Sequence, residues 1–77
     1  MRKESARGAG KRQALMAYIQ QYIASHGYSP SIEEIRVACR FSSGSLVVYH
    51  LQVLERAGKI SYVPYIPRTV RVLTDAS

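Results

Sequence analysis

One short segment of the sequence carries side chains that could contact the edges of nucleic-acid bases. These candidates for base reading are Ser42, Ser45, Val48, Tyr49 and Gln52. Glutamine can pair with adenine through two hydrogen bonds, serine can reach several base edges, and a valine methyl suits the methyl group of thymine. Residues 42–55 include no arginine, so this chemistry favours A·T-rich contacts over guanine.

Helical spacing divides this segment into a core-facing side and a solvent-facing side. When residues 43–57 are placed at about 100° per residue, three apolar side chains share one sector and are expected to face the core. They are Val47, Leu51 and Leu54. The opposite side, which is expected to face solvent, holds Ser45, Tyr49, Gln52 and Arg56.

Some of these side chains have a purely structural alternative. Ser42 and Ser43 can cap the helix, and Val48 and Leu46 can belong to the edge of the core. Tyr49 is the strongest candidate for a functional role, because a large side chain at the centre of a solvent face has little to pack on.

The balance of charge favours a polyanionic partner. The sequence has 11 lysine and arginine residues against 5 acids, a formal net charge of +6. The candidates for contacts to a phosphate backbone are Arg7, Lys11, Arg40, Ser43, Lys59 and Arg68. Ser43 is included because backbone N–H groups at the start of a helix can bind a phosphate.

A single domain with short flanks is predicted. Residues 1–9 offer almost nothing to bury and are expected to form a disordered basic arm, while residues 74–77 are expected to form a tail. Residues 10–73 make up the domain. It starts with a helix over residues 11–26, because apolar residues recur there with helical spacing. Gly27 is expected to end this helix.

Two further helices are predicted on either side of a tight turn. Ser31 and Glu34 have the S-x-x-E spacing of a capping box, which starts a helix of about two turns. So short a helix is not stable alone in water, so it must pack on its neighbours. Phe41 is expected to fill the turn before the helix of residues 43–57.

Two half-buried strands are predicted to follow the last helix. Apolar and polar residues alternate over 60–62 and again over 69–72, and two prolines mark the loop of residues 64–68 between them. The fold class is therefore mainly α with a small β-wing. It is a three-helix winged helix-turn-helix with a two-stranded antiparallel hairpin.

Other functions have little support in the sequence. No Ser, Cys or acid is obviously placed to make His50 catalytic, and two histidines with one cysteine give little basis for a metal site. We therefore expect no enzyme, no cofactor and no small-molecule ligand. No apolar run approaches the ~20 residues of a membrane span, so a cytoplasmic location away from membranes is expected.

Several short runs of this sequence match one family. They are Lys11 to Leu15, Ser29-Pro30-Ser31, Glu34-Ile35, Phe41, Ser43, His50-Leu51, Leu54, Gly58-Lys59-Ile60 and Arg68 to Leu73. Together they resemble the N-terminal DNA-binding domain of LexA-type repressors over roughly residues 11–73. The resemblance implies that residues 43–57 are the reading helix for operator DNA and that His50 is structural.

The resemblance also has limits. It covers neither the self-cleaving peptidase domain nor the main dimerisation surface of such repressors, so neither is expected of this chain. The family's operator sequence does not transfer, because Ser45, Val48 and Tyr49 replace its Asn and Glu. Arg40 stands where the family usually has glycine, so a positive φ would strain it, and a phosphate contact could compensate.

The leading hypothesis is sequence-specific binding of double-stranded DNA in transcription regulation, as in a repressor. The alternative is a protein-interaction module that uses the apolar flank of the same helix, formed by Leu46, Tyr49 and Val53. RNA binding has less support, because the sequence lacks the aromatic residues that RNA-binding proteins commonly carry on an exposed sheet. A monomer in solution is expected, with pairing of two copies on DNA.

Overall fold

Over residues 3–73, three helices precede a two-stranded antiparallel sheet. The structure is a computed structural model, which describes the backbone of these residues and the side chains of residues 10–73. Helix α1 spans Lys3–His26, α2 spans Ile32–Ala38 and α3 spans Gly44–Arg56. Strand β1 (Ile60–Ser61) pairs with β2 (Arg71–Val72), with Ile60 opposite Val72. The predicted mainly helical fold with a β-wing is confirmed.

The core lies where the three helices meet the sheet. Each element contributes one apolar side, as the periodicity of the sequence predicts. The buried hydrophobic residues are Leu15, Ile19, Ile35, Phe41, Val47, Leu51, Leu54, Ile60 and Val70. Phe41 fills the turn between α2 and α3, as predicted, and is almost fully buried. The short helix α2 is thus fixed by its neighbours, since seven residues would not hold a helix in water alone.

Helix α1 begins well before its predicted start at Lys11. Residues 3–9 continue the helical backbone, where the sequence suggests a disordered arm. The prediction used burial as its criterion, whereas Lys, Glu, Ala and Arg favour a helix without burying anything. Gly8 lies inside this stretch, at a cost of about 1 kcal/mol relative to alanine. Residues 1–2 and the predicted tail, 74–77, lie outside the described residues.

Side-chain caps define where α2 and α3 begin. The Ser31 hydroxyl accepts from the Glu34 N–H at 3.1 Å, and the Glu34 carboxylate accepts from the Ser31 N–H at 2.9 Å. This is the predicted capping box. The Ser43 hydroxyl accepts from the Leu46 N–H at 3.3 Å and caps α3. Gly58 follows α3 with a φ of 77°, a conformation that suits glycine.

The strands are shorter than predicted because side chains take the place of ladder hydrogen bonds. The Val70 N–H donates to the Ser29 hydroxyl at 3.1 Å, and the Val63 N–H donates to the Thr69 hydroxyl at 2.9 Å. The Thr69 hydroxyl also lies 2.9 Å from the Ile66 carbonyl. Residues 62–70 therefore form a hydrogen-bonded loop, which we call the wing.

Within residues 3–73, no helix is both long enough and apolar enough to cross a bilayer. The same part of the chain shows no cluster of three or more His, Cys, Asp or Glu side chains that could hold a metal ion.

Candidate nucleic-acid interface

The rotation of α3 places the predicted reading side chains in solvent. Val47, Leu51 and Leu54 are buried, as the helical spacing predicts. The opposite face exposes Ser45, Tyr49, Gln52 and Arg56. The exposed fraction of Tyr49 is 53%, so about half of this residue is accessible to another molecule. We call these four residues the reading face.

The ring of Tyr49 packs against the ring of the buried His50. The two rings meet edge to face, with 5.1 Å between their centroids, and the centroid of the Phe41 ring lies 5.2 Å from that of His50. The guanidinium of Arg12 lies 3.3 Å from His50 Nδ1. Because a guanidinium can only donate, Nδ1 is the acceptor and Nε2 carries the proton of the neutral ring.

The surroundings of His50 favour its neutral form. Burial lowers the pKa of the imidazole, and the nearby charges of Arg12 and Lys11 lower it further. A neutral ring that is packed between Phe41 and Tyr49 acts as a support for the reading face. The predicted structural role of His50 is in keeping with these contacts, although the sequence does not reveal Arg12 as its partner.

The other candidates for base reading occupy different places around α3. Ser42 is exposed in the turn, whereas the hydroxyl of Ser43 is engaged in capping the helix. Val48 is half-buried and, together with Gln52, lines a groove between α3 and the wing. Leu46, on the opposite flank, is 41% exposed.

Arg40, which stands where the family usually has glycine, adopts a strained left-handed backbone conformation. Its φ is 60°, in the left-handed region that usually belongs to glycine. Its side chain is exposed in the turn that precedes α3. The strain is offset locally, because the Arg40 carbonyl accepts a hydrogen bond from Lys11 Nζ at 3.1 Å.

Lys11 has its ammonium group occupied within the protein. Besides the Arg40 carbonyl, Nζ donates to the Cys39 carbonyl at 2.8 Å and lies 4.4 Å from the centroid of the Phe41 ring. Lysine at the carboxyl end of a helix satisfies free carbonyls and favours the helix dipole. These contacts make Lys11 a cap for α2, a role that the sequence does not indicate.

Arg68 is also engaged within the protein. Its guanidinium donates to the Tyr22 hydroxyl, the Ser29 carbonyl and the Glu34 carboxylate.

The other basic residues lie elsewhere on the domain. Lys59 is exposed just before β1, and the side chain of Arg7 lies outside the described ones. Arg71 is not among the predicted phosphate contacts, and it adds an exposed cation on β2.

Comparisons with known proteins point to one family. The model of the LexA DNA binding domain matches residues 7–69. The LexA repressor of Roseiflexus sp. (strain RS-1) is 33% identical over 64 residues, which cover 83% of this chain and 29% of the repressor. The LexA repressor of Brevibacillus brevis is 36% identical over 87% of this chain and 32% of its own length.

A third relative gives the same result. The LexA repressor of Staphylococcus aureus (strain USA300) is 39% identical over 66 residues, which cover 84% of this chain and 32% of the repressor. The chain spans about a third of the length of these curated relatives. Since the family model covers most of the chain, and the fold has the helices and wing of such a domain, the chain belongs to the LexA DNA-binding domain family.

Proposed function

We propose that this chain binds double-stranded DNA sequence-specifically and represses transcription, with α3 lying in the major groove. The observation that carries the proposal is the reading face, whose polar and aromatic side chains project from a helix fixed on the core. An α-helix fits the major groove, where each base pair presents a distinct pattern of donors and acceptors. Because the chain acts on DNA in this proposal, we place it in the cytoplasm.

The base contacts are assigned to the reading face and its edges. Ser45, Tyr49 and Gln52 are exposed together on one side of α3, so they approach the bases first. Val48, at the groove beside the wing, is suited to a thymine methyl. Ser42 lies in the turn, next to the start of the helix, and is suited to the outer edge of the site.

Arg40 and Lys59, whose side chains are exposed, keep the role of phosphate contacts in our proposal. Arg7 keeps it on its charge alone, since its side chain lies outside the described ones, and the amino end of α3 at Ser43 adds backbone N–H groups. Lys11 and Arg68 are left out, because their charged groups already make the hydrogen bonds described above.

Binding to duplex DNA at different salt concentrations tests the proposal. Each neutralised phosphate contributes about −0.9 to the slope of log K against log salt concentration. All five basic side chains predicted from the sequence would give a slope of about −4 to −5. The three that the proposal keeps, Arg7, Arg40 and Lys59, would give a slope of about −3. Absence of binding to any duplex, even in low salt, would contradict the proposed function.

Replacing Arg40 with glycine should change stability and affinity in opposite directions. Glycine removes the left-handed strain of about 1–2 kcal/mol, offset in part by its greater freedom in the unfolded chain. The free energy of unfolding should therefore rise by about 0.5–1 kcal/mol, while DNA binding weakens through loss of a phosphate contact. Urea denaturation and fluorescence anisotropy measure the two effects.

Arg40→Ala is the matched control. It removes the same charge but keeps a side chain in the strained conformation, so it should weaken DNA binding to the same extent without stabilising the fold. If either variant binds DNA as tightly as the original chain, Arg40 does not contact a phosphate.

A protein-interaction module remains the second candidate function. The observation that favours it is the apolar flank of α3, where Leu46 and Tyr49 are 41% and 53% exposed and Val53 is half-buried. On this alternative the chain would bind no duplex in low salt, which the salt series already tests.

We also propose that the chain is a monomer in solution and that two copies pair on a palindromic site. A single module of this kind buries about 600–1,000 Å² on DNA, and the two-residue strands offer little for self-pairing. Sedimentation across a concentration series should show a monomer at micromolar concentration. A stable dimer without DNA would instead assign Leu46 and Val53 to an interface between copies.

A further inference from the structure

Arg68 connects the wing to three separate parts of the domain. Nη1 donates to the Tyr22 hydroxyl of α1 at 3.1 Å and to the carbonyl of Ser29, between α1 and α2, at 3.2 Å. Nη2 donates to the Glu34 carboxylate of α2 at 3.0 Å. The guanidinium also lies 5.0 Å from the centroid of the Tyr28 ring. The wing is therefore tied to residues that are distant in sequence.

Two of these partners are themselves fixed. Ser29 is buried, and its hydroxyl accepts from the Val70 N–H while its carbonyl accepts from Arg68. Glu34 uses one carboxylate oxygen for Arg68 and the other for the Ser31 N–H of the capping box. The partners of Arg68 thus belong to the rigid body of the domain.

The backbone at Arg68 is strained. Its φ is 60°, a conformation that is unfavourable for a non-glycine residue and persists only where the surrounding structure holds it. The hydrogen bonds of its guanidinium, and the Val70–Ser29 bond two residues further along the chain, attach this backbone to the body of the domain. Such an arrangement suits a residue that sets the position of a loop.

The charge of Arg68 is paired with the charge of the Glu34 carboxylate. The Ser31 N–H and the Arg68 guanidinium lower the pKa of the Glu34 carboxyl to about 2, so Glu34 is ionised throughout the physiological range. The two side chains are 40% and 38% exposed, so solvent screens the pair, and a phosphate that approaches Arg68 also meets the repulsion of the Glu34 carboxylate.

We propose that Arg68 is a positioning residue that latches the wing to α1 and α2 and so fixes the wing beside α3, and that it is not a phosphate ligand. The latch is formed by Arg68, Tyr22, Ser29 and Glu34. This inference rests on the proposed function, because it assigns the latch a part in DNA binding.

Replacing Glu34 with glutamine distinguishes a latch from a phosphate ligand, because the two roles of Arg68 predict opposite changes in DNA affinity. Glutamine can still accept from the Ser31 N–H, because a capping box tolerates Glu or Gln, but the ion pair with Arg68 is lost. If Arg68 is a latch, the wing loosens and DNA binding weakens. If Arg68 binds phosphate, removing its competing anion makes binding tighter and the salt slope steeper.

Glu33→Gln is the matched control, since it changes the net charge equally at the neighbouring residue. The Glu33 carboxylate pairs with Arg36 at 2.6 Å and makes no hydrogen bond to the wing. Arg68→Lys supplies a second variant, because lysine keeps the charge but cannot reproduce the fork of hydrogen bonds. The latch requires that fork, whereas a simple phosphate contact requires only the charge.

The experiment measures fluorescence anisotropy of a duplex selected by the original chain, together with hydrogen exchange of the backbone amides. Glu34→Gln and Arg68→Lys should each weaken binding by about 3- to 10-fold, the scale of a lost charge-assisted hydrogen bond. The salt slope should stay the same. The amides of Val63 and Val70 should exchange faster, while that of Leu51 is unchanged. Glu33→Gln should not weaken binding.

Three results would overturn the inference: tighter binding by Glu34→Gln, unchanged affinity in Arg68→Lys, or unchanged exchange at Val63 and Val70 in both variants. Failure of the proposed function has a different signature. In that case the original chain binds no duplex, and the exchange rates still report whether the latch holds the wing.

Discussion

Replacing Leu51 with alanine should lower the free energy of unfolding by about 2–5 kcal/mol. Leu51 is fully buried in the core cluster that joins the helices to the sheet, so the shorter side chain leaves a cavity as well as losing apolar contact. Small domains have only about 5–15 kcal/mol of total stability, so the variant is expected to be partly unfolded at elevated temperature. Urea denaturation followed by circular dichroism measures the change.

Leu46→Ala is the matched control on the same helix. Leu46 is 41% exposed, so the same change of side chain should cost clearly less than at Leu51. Equal costs at the two positions would show that α3 is not rotated so as to bury Leu51 and expose Leu46, and would remove the basis for the reading face.

Replacing Tyr49 with alanine should have its effect on DNA binding instead of folding. Loss of a base-reading contact is expected to cost about 1–3 kcal/mol of specific affinity. The melting temperature should change little, because Tyr49 is 53% exposed and the alanine variant loses mainly the contact of its ring with His50. Anisotropy with a selected duplex and thermal denaturation monitor the two properties side by side.

Tyr49→Phe separates the two ways in which this residue can contact a base. Phenylalanine keeps the ring but removes the hydroxyl, so retained affinity would assign the contact to the ring, and lost affinity would assign it to a hydrogen bond. A large fall in melting temperature for Tyr49→Ala would mean that Tyr49 belongs to the core and that the predicted orientation of α3 is wrong.

The helix boundaries that could be predicted from the sequence are those with a local chemical signal. Ser31 and Glu34 specify the capping box within four residues, and the spacing of Val47, Leu51 and Leu54 fixes which side of α3 is buried. The start of α1 has no such signal. Its first turns continue a helix without an apolar stripe, so a criterion based on burial places the start too late.

The partners of the basic residues could not be predicted in the same way. Lys11 and Arg68 are cations in the sequence, and a net charge of +6 makes each a reasonable phosphate ligand. Their hydrogen-bonding partners lie 28 to 46 residues away along the chain. Such contacts depend on how the helices pack, which composition and periodicity do not specify. The exposed reading face, by contrast, follows from helical spacing alone.

Selection of bound duplexes from a random DNA pool tests most directly whether α3 reads sequence. The original chain should enrich one motif, and Gln52→Ala and Tyr49→Ala should each relax the preference at particular positions of that motif. Arg40→Ala should bind more weakly but enrich the same motif, because phosphate contacts carry no direct sequence information. An original chain that enriches no motif, or a motif that survives both changes to the reading face, would contradict the account.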